Sequence, residues 1–308
     1  THLAYELRVE DNWFIDNDCM GLWIDNTWRK VRIARNIFLG NRGQDIFFEM
    51  DDNTPATASL VDHNLFLPGR PELLPAPKDP NAPGPKWSPW SVGIYGHDAD
   101  GVRIFRNYFA GEGYGLYFRK MTDRKGGASY ISASGNVFAN SNLTAVCLPA
   151  ENPPLVRSNW FEANVYPAAA RPFVAHAWSI KTGGADAGVI ARLSRAVSPD
   201  ATAQPFGNPA KPPYGYFLSL KQWQTVMNFD QHSRMVAVPW TFDRQTWELT
   251  VTLPDELSGI PVPSEREAGE DFFGRPTSAG ALAGPFENLT PGKHILKLPR
   301  PVGERAVP

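Results

Sequence analysis

The sequence is poor in the features that mark several common classes of protein. It has only two cysteines, Cys19 and Cys147, which excludes a disulfide framework, and no Cys/His spacing resembles a zinc site. No apolar run approaches the roughly 18 residues that a membrane helix needs. Charge of neither sign is in excess: 30 Lys and Arg against 32 Asp and Glu give a formal net charge of -2. A near-neutral chain offers no electrostatic reason to bind nucleic acid or an anionic membrane. Long helical periodicity is also missing. Gly (26) and Pro (29) are plentiful among the 308 residues, as expected of short elements joined by many turns. At 42% hydrophobic and 20% charged residues, the composition is that of a folded domain.

What the sequence does have is an internal repeat. Asn-x-Phe occurs at Asn12-Trp13-Phe14, Asn36-Ile37-Phe38, Asn64-Leu65-Phe66, Asn107-Tyr108-Phe109, Asn136-Val137-Phe138 and Asn159-Trp160-Phe161, spaced by 24, 28, 43, 29 and 23 residues. The longest gap holds a Pro-rich stretch, read as an inserted loop over residues 68–90. Short strand-like alternation follows the motif, as in Gly21-Leu22-Trp23-Ile24-Asp25, Asp45-Ile46-Phe47-Phe48-Glu49, Gly93-Ile94-Tyr95-Gly96-His97 and Gly115-Leu116-Tyr117-Phe118-Arg119. This pattern predicts an all-β fold, a right-handed parallel β-helix of the pectate-lyase-like kind. Each repeat forms one coil, and coils stack at the strand spacing of about 4.8 Å. The Asn is expected to form a ladder at a turn, its amides satisfying one another, with the Phe pointing inward. A β-sandwich with coincidental spacing is the alternative.

Residues 1–170 are expected to carry the coils and their functional face. From 171 to 308 the repeat fades into last coils, lateral or capping strands such as Trp247 to Leu253, and an extended tail over Pro261 to Pro276. The open first coil would leave strand edges unpaired, so the chain is expected to be the C-terminal part of a longer protein.

Register follows from spacing. Asn12 to Asp25 and Asn36 to Glu49 are both 13 residues, so the two acids occupy equivalent places on adjacent coils. Side chains alternate along a strand. With Leu22, Ile24, Ile46 and Phe48 inside, one outward column reads Trp23, Phe47, Tyr95, Tyr117. Its neighbour reads Asp25, Glu49, His97, Arg119, Pro149. An outward row of aromatics beside a mixed-charge column fits a carbohydrate groove, because rings stack on sugar faces while polar groups reach hydroxyls. Alternatively, the rings pack beneath the Pro-rich loop that carries Trp87 and Trp90. Stacked acids repel and split their pKa values, one ionised and one protonated, which is the division of labour a glycosidase needs. A separation of roughly 5 Å matches the double-displacement, retaining geometry.

The stretches Gly21 to Asp25 with Arg32 to Phe38, and Asp45 to Glu49 with Leu60 to Phe66, resemble glycoside hydrolase family 120, β-helix enzymes typified by β-xylosidases. Leu220 to Gln224, Asp230 to Ser233, Asp271 to Pro276 and Gly284 to Phe286 add to the likeness. The sequence departs from the family beside both acids, at Asn26-Thr27-Trp28 and at Met50 to Pro55. The resemblance implies Asp25 as nucleophile and Glu49 as general acid/base. Trp23, Trp28, Phe47 and Tyr117 are then candidates for sugar stacking, and His97 and Arg119 for hydroxyls. The expected partner is an oligosaccharide substrate such as a β-xyloside. No nucleic acid, membrane or cofactor is expected, and a homo-oligomer is compatible with the sequence.

Two other functions compete. A polysaccharide lyase on the same architecture would use Arg119-Lys120 as base, with calcium at Asp51-Asp52, although two adjacent acids without a ligand loop argue little for a metal. A non-catalytic glycan-binding β-helix would use the acids only as acceptors. Asp230 and His232 lack a nucleophile motif nearby and are read as turn residues.

Overall fold

The computed structural model describes residues 4–26, 28–69, 92–119, 127–149, 158–168, 173–177, 205–208, 211–278 and 280–302. The predicted loop at 68–90, with Trp87 and Trp90, and Lys120 lie essentially outside them. The described chain is mostly β, with parallel sheets and very few helices.

Successive repeats add one strand to each of three parallel stacks. The first runs from Arg8–Glu10 through Arg32–Ala34, Ser59–Asp62, Val102–Phe105 and Ser132–Ser134 to Trp160–Glu162. The second runs from Trp13–Ile15 through Ile37–Leu39 and Leu65–Phe66, then along the beginnings of the long strands Tyr108–Arg119 and Val137–Pro149. It ends on Val165–Tyr166 and Arg234–Met235. The third joins Leu22–Asp25, Gln44–Asp51, Val92–Ala99, the far ends of the two long strands, and Phe173–Ala177.

The Asn residues lock these stacks together. The Oδ1 of Asn36 accepts both the backbone N–H (3.0 Å) and the Nδ2 (3.1 Å) of Asn12. Asn64, Asn107 and Asn136 each do the same for the Asn one repeat earlier, at 2.9–3.0 Å. The residue before each ladder Asn is left-handed: Asp11, Arg35, His63, Arg106, Gly135 and Ala163 have φ of 59, 56, 54, 50, 63 and 55°. A left-handed residue turns the chain sharply at a modest cost, and the amide then absorbs the N–H groups that the turn exposes.

The sixth rung corrects the sequence reading. Asn159 is not in the ladder; it caps Ile131 and Ala128 instead. Asn164 takes the place, accepting from Asn136 at 3.0 Å for both donors. The inward ring there is Tyr166, not Phe161. Six rings, Phe14, Phe38, Phe66, Phe109, Phe138 and Tyr166, stack at centroid distances of 4.5–5.1 Å. Small residues face this column. A Cβ on Gly115 would come within 2.4 Å of the Phe138 ring, so only glycine fits there.

The ladder ends on Asp230, which is fully buried and accepts from Asn164, Tyr166, Trp223 and Ser233. The end of the core is covered by helix Leu220–Met227, an element not foreseen. Its Ser219/Gln222 capping box is complete, and its Trp223 packs on Phe161 and Phe173. An antiparallel sheet of Trp240–Asp243, Glu248–Leu253 and Gly292–Lys297 packs laterally, burying Trp247, Leu249 and Val251 with Ile37, Leu65 and Tyr108. The stretch Pro261 to Pro276 is no extended tail. Ala268, Asp271 and Phe272 are buried within it, and Arg103 of the first stack pairs with Glu265 and Glu267.

Two outcomes follow. Asn107→Ala leaves the Asn64 donors without an acceptor and should cost about 2–4 kcal/mol in urea unfolding. Asn12→Ala, at the exposed end, should cost under about 1.5 kcal/mol. Burial pushes the Asp230 carboxyl up to about 6, against the hydrogen bonds from Ser233, Asn164, Trp223 and Tyr166. The folded chain therefore holds that proton more tightly than the unfolded chain does. Stability contributed by protonated Asp230 is present below its ordinary value near 4 and lost as pH rises through about 6. Melting temperature should fall more steeply across that window in the wild type than in Asp230→Asn; equal slopes would contradict this.

Candidate active site

The third stack carries the candidate site. Its register pairs Leu22, Trp23, Ile24 and Asp25 with Ile46, Phe47, Phe48 and Glu49. It continues through Tyr95 and His97 to Tyr117 and Arg119. Ile24, Ile46, Phe48, Ile94, Leu116 and Phe118 point into the core. Asp25 and Glu49 thus lie side by side on the opposite face, on neighbouring strands that are about 4.8 Å apart. Immediately after them the chain turns through left-handed residues, Asn26 (φ 45°), Met50 (φ 47°) and, after His97, Asp98 (φ 49°).

Each carboxylate has its own donor. Asn26 Nδ2 donates to Asp25 Oδ1 at 2.7 Å. Trp23 Nε1 donates to Glu49 Oε2 at 3.0 Å. The Glu49 carbonyl is held twice, by the Asn26 backbone N–H and by the Trp28 indole, both at 3.1 Å. Asp25 is exposed and Glu49 half-buried.

The aromatic column differs from the exposed platform that the sequence suggested. Trp23 is 53% exposed, with its ring stacked 5.8 Å from Phe47 at 5°. Phe47, Tyr95 and Tyr117 are buried, packed on one another with Val92, Tyr114 and Cys147. Phe47 is stacked by Trp23 and His97 and tilted on Tyr95, while Tyr117 stacks on Tyr114 and meets Tyr95 edge to face, so neither ring offers a face to a ligand. Trp28 is fully buried against Phe48, and its ring cannot stack on a sugar either. Its role here is to anchor the Glu49 backbone.

His97 stacks on Phe47 at 6.4 Å and approaches the buried Asp98 at 3.8 Å. The Arg119 guanidinium lies 5.0 Å from the Tyr95 ring centroid. Burial pushes the Tyr95 phenol well up, Arg119 opposes that, and the Glu49 and Asp98 charges add to it. Tyr95, which the sequence placed only in the aromatic column, and Asn26, which it placed only among the departures beside Asp25, thus both lie at the candidate site. The visible signal for Asn26 was a short amide directly following the acid.

Asp51 and Asp52 are occupied by Arg29, which contacts Asp51 and reaches Asp52 at 3.0 Å. Burial raises the Asp51 carboxyl while Arg29 lowers it. Among the described residues no group of three His, Cys, Asp or Glu side chains could hold a metal ion. Asp230 and His232 do not form a pair: Asp230 closes the ladder, and the exposed His232 leans on Glu162 at 3.2 Å. Cys147 is buried, and burial pushes its thiol up, so it is no ready nucleophile.

No protein-family profile and no curated protein matches the chain. One solved structure, described as "The complex structure of XylC with xylose", matches with a TM-score of 0.35 and 11% identity, over 87% of this chain and 52% of that one. This chain therefore spans about half the length of that neighbour. Likeness of that degree transfers no residue role.

Replacing the Trp28 indole tests its anchoring of Glu49. Trp28→Phe removes the N–H and some volume, and should cost about 2–4 kcal/mol in urea unfolding. Unchanged stability would show that the indole does not hold the strand.

Proposed function

We infer that the three parallel stacks wind as a right-handed parallel β-helix, and that the outer face of residues 1–170 is the active face of a retaining glycoside hydrolase. The observation that carries this is the register of Asp25 against Glu49. Two carboxylates one strand spacing apart, about 4.8 Å, suit double displacement, whereas inversion needs about 6.5–9.5 Å to admit a water between them. Asp25 attacks the anomeric carbon and forms a glycosyl-enzyme ester. Glu49 first protonates the departing oxygen, then takes a proton from the water that hydrolyses the ester. Trp23 offers the exposed ring for the sugar, and His97 and Arg119 lie farther along the column towards its hydroxyls. β-Xylosides and similar plant cell-wall oligosaccharides are the substrate class that the family resemblance implies.

The lyase reading is weaker, because its pieces are engaged elsewhere. Arg29 occupies Asp51 and Asp52, and Arg119 lies over the Tyr95 ring.

The test is a panel of nitrophenyl glycosides, β-xyloside first. Wild type should release nitrophenol, and Glu49→Gln and Asp25→Asn should each lose about 10²-fold or more in rate. Silence from the wild type on every glycoside would overturn the reading, as would undiminished release by Glu49→Gln. A calcium-dependent product absorbing in the ultraviolet would favour the lyase.

A further inference from the structure

We propose that Trp23 is a positioning residue for Glu49: its indole N–H fixes the orientation of the Glu49 carboxyl on the face it shares with Asp25. The proposal rests on the glycosidase reading above and adds to the role of the Trp23 ring. Three observations combine. The indole donates to Glu49 Oε2 at 3.0 Å. The ring is held flat on Phe47, 5.8 Å away and 5° from parallel, so the donor has a fixed direction. The other side of the residue is open, with 53% of Trp23 exposed.

An indole is a donor only. It can bond only through a lone pair of the carboxyl and never takes the proton. Oε2 is therefore the acceptor of this bond, which fixes the plane of the carboxyl. Such a bond is stronger to an ionised carboxylate than to the neutral acid. The groups facing Glu49 come from the packed strands on either side. Asp25 on one neighbouring strand brings a like charge. On the other side stand His97 and, one strand farther, Arg119, with Tyr95 and the buried Asp98 nearby. A sugar lying on the open face of the ring excludes water from the N–H···O bond and strengthens it. Substrate stacking and proton donation then act through one side chain.

Two measurements test this. The first is independent of turnover: the Nε1–H resonance of Trp23 in protein labelled with ¹⁵N-tryptophan, assigned by its loss in Trp23→Phe. It should move with pH in a single titration, and that movement should vanish in Glu49→Gln. A resonance that stays still between pH 4 and 8, or titrates alike in Glu49→Gln, would overturn the proposal. The second is the pH profile of kcat/KM on the best aryl glycoside. Trp23→Phe keeps the stacking ring and loses the donor, so Glu49 should hold its proton to higher pH. The alkaline limb should move up by roughly half a unit to one unit. A changed KM with an unmoved limb would leave Trp23 as a sugar platform alone, sinking the proposal while the glycosidase reading stands. Absence of turnover in the wild type would sink that reading, and the titration of the indole would then decide the Trp23–Glu49 coupling by itself.

Discussion

The rest of the structure depends on the asparagine ladder. One amide oxygen takes two donors from the preceding repeat, and this recurs through Asn12, Asn36, Asn64, Asn107, Asn136 and Asn164. The geometry works only when repeats are one strand spacing apart and in one register. A slip by a single residue would turn every inward ring outward. The ladder therefore fixes the stacked rings beside it, and 13 residues downstream it fixes Asp25 beside Glu49. Two like charges are brought together by hydrogen bonds made elsewhere. In this way a fold can hold an otherwise unfavourable pair side by side.

Much of this was legible in the sequence, because periodicity of Asn and alternation of apolar residues are direct consequences of stacking. The register of Leu22 to Asp25 on Ile46 to Glu49 is the one that equal spacing predicts. What the sequence concealed has physical causes. Asn159-Trp160-Phe161 carries the motif but lies in the first stack, one stack too early. Asn164-Val165-Tyr166 continues the ladder with Tyr in place of Phe. A pattern defined by Phe misses a ring that serves equally well. The left-handed residue before each ladder Asn is the better marker of place, and it cannot be read from identity, since Asp, Arg, His, Gly and Ala all fill it. Burial of Phe47 and Tyr117 was hidden because alternation assigns a side to each residue and says nothing of what covers it. Trp28 follows the strand, and only its contact with the Glu49 carbonyl shows that it serves the backbone.

The site divides its labour by local donors. Asn26 attends Asp25, Trp23 attends Glu49, and Arg119 turns towards Tyr95. Asp25 is the more exposed of the two acids and Glu49 is half-buried. The exposed ring of Trp23 lies on the same face of the third stack as both acids.

The most direct test of the central claim is to trap the covalent intermediate. The protein would be incubated with an activated 2-deoxy-2-fluoro-β-xyloside, whose fluorine slows hydrolysis of the ester. Intact mass and peptide mapping would then follow the label. The account predicts a gain of one fluorosugar per chain, located on Asp25 and slowly lost on transfer to acceptor sugar. Turnover of unmodified xyloside with no adduct, or an adduct on any other residue, would contradict it.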